Sequence, residues 1–135
     1  MINDIYELRQ QKLEENGYAS YKDYLLSEEW QTIKRSVRNR KGARWNLCNI
    51  CASSKNLEIH HSSYKVIGTI NPHDTVKLLC RSCHQKVHDL SKLNKKLDLY
   101  KACSRVKRQM EKEGKMTLSI EIVNRYNNGE RNFTD

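Results

Sequence analysis

Val76-Lys77-Leu78-Leu79-Cys80-Arg81-Ser82-Cys83-His84-Gln85-Lys86-Val87-His88 carries three signals in one short run. An apolar segment of strand length ends in a C-x2-C pair, and two histidines follow at helical spacing. Upstream, Cys48-Asn49-Ile50-Cys51 repeats the pair, with 28 residues between Cys51 and Cys80. A C-x2-C turn lets two thiolates reach one tetrahedral ion, and two such turns close a Zn(Cys)4 shell with no open position. The spacing therefore predicts a structural zinc on Cys48, Cys51, Cys80 and Cys83. Cys103 stands apart and is expected to be a small buried apolar residue.

Composition agrees with a metal staple. The chain has 135 residues, 37% hydrophobic and 30% charged, with one Phe, so the supply for an apolar core is thin. Zinc binding, of order 10 kcal/mol or more in such sites, makes up the difference. Met1-Ile2-Asn3-Asp4-Ile5-Tyr6-Glu7 shows no basic n-region leading into an apolar h-region. A reducing, cytoplasmic setting is expected, which favours zinc over disulfides. No apolar run approaches the roughly 18 residues of a membrane span.

Between the cysteine pairs, Leu57-Glu58-Ile59-His60-His61 reads as a strand with Leu57 and Ile59 on one face. Consecutive strand residues point to opposite sides, so His60 and His61 are placed for different jobs. Ser62, Ser63, Gly68, Asn71 and Pro72 mark a long connection to the second strand, Val76 to Leu79. On the helix that follows, His84 and His88 at i and i+4 share one face and can share one ion. Each feature alone has a plainer reading, a polar strand edge or surface imidazoles. Bracketed by the cysteine pairs, they read together as a site.

These residues resemble the HNH endonucleases of the ββα-metal (treble-clef-like) type, in the four-cysteine branch frequent among phages and mobile elements. The resemblance runs over residues 24 to 90 and includes Tyr24-Leu25, Trp30, Tyr64, Gly68 and Leu79-Cys80-Arg81-Ser82-Cys83-His84. It implies an α+β chain with a ββα-metal core around the Zn(Cys)4 site, flanked by N-terminal and C-terminal helices. By resemblance, His60 and His84 hold a catalytic divalent ion with His88 as an additional ligand, and His61 is the general base. The family's middle asparagine falls on Thr75, beside Asp74, a departure that leaves the loop geometry open. The implied activity is hydrolysis of DNA phosphodiester bonds, by nicking or double-strand cleavage. An imidazole-rich site accepts Mn, Ni, Co or Zn more readily than Mg, which prefers oxygen ligands.

The formal charge of +9 is uneven: residues 1 to 29 carry a net −4 and the remainder +13. Such a field points to a polyanion. Three segments are expected: residues 1-44, an N-terminal helical arm with a basic helix; 45-92, the nuclease core with its zinc knot; and 93-135, a basic C-terminal helix and tail. In the arm, Ile2, Ile5, Leu8 and Leu13 suit an amphipathic helix ended by Asn16-Gly17, a packing or partner surface. A short helix near Tyr21 to Leu26 follows. Ser27 then caps a helix whose inner face is Trp30, Ile33 and Val37. Its other face and the next loop hold Lys34, Arg35, Arg38, Arg40, Lys41 and Arg44, with no acid from Gln31 to Leu57. These six are candidate contacts to DNA, double-stranded by expectation.

Beyond His88, Leu90, Leu93, Leu97, Tyr100, Val106 and Met110 predict that the helix begun near Arg81 continues, intact or kinked, to Gly114. Met116 to Ile122 alternates with period two, which favours a strand, although Thr117 could equally cap a short helix. Asn127-Asn128-Gly129 and the polar end are expected to fray. A monomer and a homodimer both fit. Two other classes stay open: a non-catalytic zinc-stabilised DNA-binding module, and a protein-interaction finger using the acidic N-terminal helix.

Overall fold

The computed structural model describes residues 4–64, 67, 76–94, 97–131 and 133. Side-chain caps start the helices, Ser27 among them as expected; of the helix expected from Ile2, the residues before Asp4 lie outside the described ones. Asp4 accepts from the backbone N–H groups of Tyr6 and Glu7 at 2.8 and 3.0 Å and opens α1, Ile5–Glu15. Asn16 ends it, and Gly17 turns the chain with φ +80°, a region glycine enters without a Cβ clash. Ser20 caps α2, Tyr21–Leu25, and Ser27 caps α3, Glu28–Arg38, with Glu28 and Glu29 at its positive end. Trp30, Ile33 and Val37 form the buried face of α3.

A 3-10 turn, Ala43–Trp45, leads into the first cysteine pair. Backbone hydrogen bonds fix that knuckle in place: Asn49 N–H donates to Leu78 O at 2.8 Å and Cys48 N–H to Ser53 O at 2.7 Å. Strands β1, Leu57–His61, and β2, Val76–Cys80, pair antiparallel with Leu57 opposite Cys80 and His61 opposite Val76. Glu58 and His60 therefore share one face, and Leu57, Ile59 and His61 the other. No loop separates β2 from α4, Arg81–Leu93, because Cys80 is both the last strand residue and the helix cap, its Sγ accepting from Cys83 N–H at 3.4 Å. The chain is thus a mixed α and β protein with a small two-stranded sheet and four cysteines drawn together.

Three expectations for the C-terminal third are corrected. The helix begun at Arg81 neither runs on nor kinks. It stops at Leu93, where Asn94 leaves the helical region at φ −125°, ψ 89°, and Asp98 caps a separate α5, Leu99–Lys112. The two pack as a hairpin, with Lys86 and Leu90 facing Val106, Gln109 and Met110, so the apolar period belonged to two facing helices. The segment from Met116 to Ile122 is not a strand. Ser119, rather than Thr117, caps α6, Ile120–Asn127, and Leu118 and Ile122 fall on one buried face. Nor does the described part of the C-terminal end fray: Phe133 is buried and Arg125 pairs with Glu130 at 2.7 Å.

One core runs from Leu13 of α1 through Tyr24, Trp30, Leu79 and Val87 to Met110 of α5. A smaller one, of Ala43, Leu47, Ala52, Leu118, Ile122 and Phe133, seals the far side of the knuckle. Cys103 is buried, as expected. Among the described residues no helix is long and apolar enough to cross a membrane.

Candidate metal centre

Cys48, Cys51, Cys80 and Cys83 converge, their sulfurs within 4.8 Å of one another, and Cys51 Sγ lies 3.7 Å from Cys80 Sγ. Four thiolates around a tetrahedral zinc at Zn–S near 2.3 Å stand roughly 3.8 Å apart. Without a cation the cluster cannot hold four negative charges. Hydrogen bonds from the Cys51 and Cys83 thiols hold Cys48 far down, and the Cys48 thiolate in turn drives Cys51 and Cys83 up. The donor set fits a metal such as zinc.

A second cluster of His60, His84 and His88 has its ligand nitrogens within 4.8 Å of one another. The β1–β2 hairpin supplies His60 and the first two turns of α4 supply the others. His84 Nε2 and His88 Nε2 lie 3.1 Å apart. Two nitrogens bound tetrahedrally at about 2.05 Å to one ion would lie roughly 3.3 Å apart, so the pair has close to the required bite. His60 completes the fit. It is 1% exposed, yet among the described residues neither ring nitrogen has a hydrogen-bond partner. A buried imidazole with both nitrogens unpaired is costly unless something else uses a lone pair. Burial, and then the neighbouring His84 and His88, hold its pKa well below the usual value, so it is the neutral form that faces the cluster.

Partners on two elements, β1 and α1, orient His84 and His88. Glu58, two residues before His60 and on the same strand face, takes His84 Nδ1 at 3.0 Å and Arg81 Nε at 3.3 Å. Tyr6 of α1 reaches His88 Nδ1 at 2.8 Å. Burial first, then His84 and Lys92, lower the His88 pKa to about 4, so it too is neutral at pH 7.

His61 lies elsewhere, as strand alternation requires. Its ring stacks on Trp30 at 4.8 Å between centroids, with Tyr24 Oη 3.1 Å from Nε2 and Tyr21 Oη 3.3 Å from Nδ1. It is 3% exposed, and burial lowers its pKa to about 4. The structure does not bring it to the face of the other three imidazoles. Thr75 and Asp74 lie outside the described residues.

Of the basic residues, Arg35, Arg38, Lys41 and Arg44 are exposed and Lys34 and Arg40 half-buried. Arg35 is paired with Glu28 at 2.6 Å, and the Arg40 guanidinium lies 4.3 Å over Trp45. Lys34 and Arg38 line a groove of about 600 Å³ that Glu58 and His84 also line, so two cations and one trio imidazole share an opening. Sequence reasoning missed Glu58, Tyr6, Ser91, Tyr21 and Tyr24 as site residues. Two had a signal: Glu58, by its period-two spacing from His60, and Tyr24, which stands in the family resemblance without an assigned role. Tyr6 is 82 positions from His88. No family model, curated protein or solved structure matches this chain.

Proposed function

We propose that this chain is a metal-dependent endonuclease that hydrolyses DNA phosphodiester bonds, built on a ββα-metal (treble-clef-like) core with a structural zinc on its four cysteines. His60, His84 and His88 hold one divalent ion. The observation that carries this reading is the buried, unpartnered His60 imidazole set against the 3.1 Å His84–His88 pair. Bound there, a divalent ion supplies positive charge to a phosphate oxygen and to the departing 3'-oxygen. Lys34 and Arg38, in the shared groove, attract and orient the phosphate backbone.

His61 serves as general base in this reading, and that role requires Tyr21 to give way. The Tyr21 contact, at 3.3 Å, is the longer of the two hydroxyl contacts to the ring. A water in its place would lie against Nδ1, while Tyr24 keeps Nε2 and the ring plane stays on Trp30. A second reading draws support from the same ring: with both nitrogens occupied and almost no exposure, His61 suits a non-catalytic zinc-stabilised DNA-binding module.

Supercoiled plasmid incubated with protein and Mn, Ni, Zn or Mg separates the two. The nuclease relaxes or linearises the plasmid, more strongly with Mn or Ni than with Mg because the ligands are imidazoles. His61→Ala abolishes cleavage while retaining the cysteine-bound metal. Binding that falls steeply with salt, without cleavage under any ion, refutes the enzyme and supports the module. Undiminished cleavage by His61→Ala removes His61 as the base.

A further inference from the structure

Helix α1 lies outside the segment that carries the metal motifs, yet one of its side chains closes a ring of hydrogen bonds on a trio histidine. The Tyr6 hydroxyl is 2.8 Å from His88 Nδ1 and 2.8 Å from Ser91 Oγ. Ser91 Oγ in turn donates to the His88 carbonyl at 3.0 Å, and Ser91 is 1% exposed.

The direction of each bond follows from the next. A serine hydroxyl has one hydrogen, and Ser91 commits it to the His88 carbonyl, so towards Tyr6 the oxygen accepts. Tyr6 likewise has one hydrogen, which goes to Ser91, so towards His88 the phenol oxygen accepts. The bond to His88 then needs a ring N–H, and Nδ1 must carry it. In a neutral imidazole the other nitrogen is bare. His88 Nε2 therefore presents a lone pair to the cluster. Glu58 imposes the same tautomer on His84, since a carboxylate can only accept from Nδ1–H. Two lone pairs facing each other at 3.1 Å repel unless a proton or a cation lies between them.

We propose that Tyr6 and Ser91 are positioning residues that lock His88 in its Nδ1–H tautomer and so make Nε2 a ligand of the divalent ion. This rests on the three-histidine site of the preceding reading and extends it to a helix that contains no ligand. Partners of this kind, accepting from the far N–H of a metal-bound imidazole, change affinity by about 10- to 100-fold when removed.

Full-length protein with zinc on the cysteine cluster is titrated with Ni²⁺ by calorimetry. Imidazole ¹⁵N shifts are read without added Ni²⁺. Wild type binds one Ni²⁺, and His88 shows a protonated Nδ1 and a bare Nε2. Tyr6→Phe, which keeps the ring against Tyr64 (centroids 6.3 Å apart), binds Ni²⁺ about tenfold or more weakly and shows mixed His88 tautomers. Ser91→Ala, the smaller change should Tyr6→Phe fold poorly, moves both readouts the same way. An Nε2–H tautomer in wild type overturns the lock, as do wild-type Ni²⁺ affinities in both variants. Wild type that binds no Ni²⁺ overturns the ligand assignment. Ni²⁺ binding and tautomer do not depend on cleavage, so an inactive protein with an intact Ni²⁺ site refutes the nuclease and upholds the lock.

Discussion

Replacing His61 with Phe removes an ionisable ring from an aromatic box and should change how stability depends on pH. Burial lowers the His61 pKa to about 4, against about 6.5 in the unfolded chain. Folding therefore favours the neutral ring. Above pH 6.5 both states are neutral and the difference vanishes. As pH falls through 6.5 the unfolded chain gains the proton first, and the folded state loses stability until about pH 4, where both are charged. With these two values, linkage gives a loss of about 2 kcal/mol between pH 7 and pH 5 from this ring alone. Urea unfolding of zinc-loaded wild type and His61→Phe at pH 7 and pH 5 isolates it, because His60, His88 and the cysteines contribute to both proteins alike. The variant should lose about 2 kcal/mol less than wild type over that interval. Equal losses would mean that His61 titrates as a solvated imidazole and that the Tyr21, Tyr24 and Trp30 box is not its environment. The same window bears on the proposed chemistry, since a ring that titrates near 4 stays neutral, as the proposed base must be, at pH values where an ordinary imidazole would be protonated.

His60→Ala should abolish binding of the divalent ion at the imidazole cluster while one zinc per chain stays on the cysteines, as read by elemental analysis. Removing that zinc with a strong chelator, or replacing Cys80 with Ser, should eliminate the cooperative thermal transition, because metal affinity of order 10 kcal/mol is folding free energy in a chain so poor in apolar residues. Combined Lys34→Ala and Arg38→Ala should weaken DNA binding alike for unrelated sequences and reduce the salt slope by about 0.9 for each phosphate no longer neutralised, measured by anisotropy across a salt series. Ser119→Ala should cost about 1 kcal/mol in urea unfolding through loss of the α6 cap; no change would reject that cap.

Local rules made much of this fold legible. Ser27 marks the start of α3 because a short side-chain oxygen beside a free N–H needs no tertiary partner; Asp4 and Ser20 cap α1 and α2 by the same rule, which the structure shows and the apolar pattern did not. The cysteine pairs announce their cluster because the tetrahedral bite of one ion limits how thiolates are spaced. His84 and His88 meet because they lie one turn apart. The break at Asn94 was not legible, because an apolar period in a chain fits one long helix and two facing ones equally well until α4 and α5 pack on each other. Period two misled at Met116 to Ile122, where the segment joins neither strand of the two-stranded sheet and the Ser119 cap starts a helix.

The amino-acid sequence alone marked Cys48, Cys51, Cys80 and Cys83 as one metal-binding group, put His84 and His88 on one helix face, and turned His60 and His61 opposite ways; His60 joined the two helix histidines only through the family resemblance. Only the tertiary structure decided what surrounds them. It put His61 among Tyr21, Tyr24 and Trp30, and set Tyr6 against His88 from 82 positions away. Ligand type and spacing follow from covalent geometry over a few residues. The protonation state of each imidazole depends on burial and on partners from distant elements, and no short-range pattern carries that information.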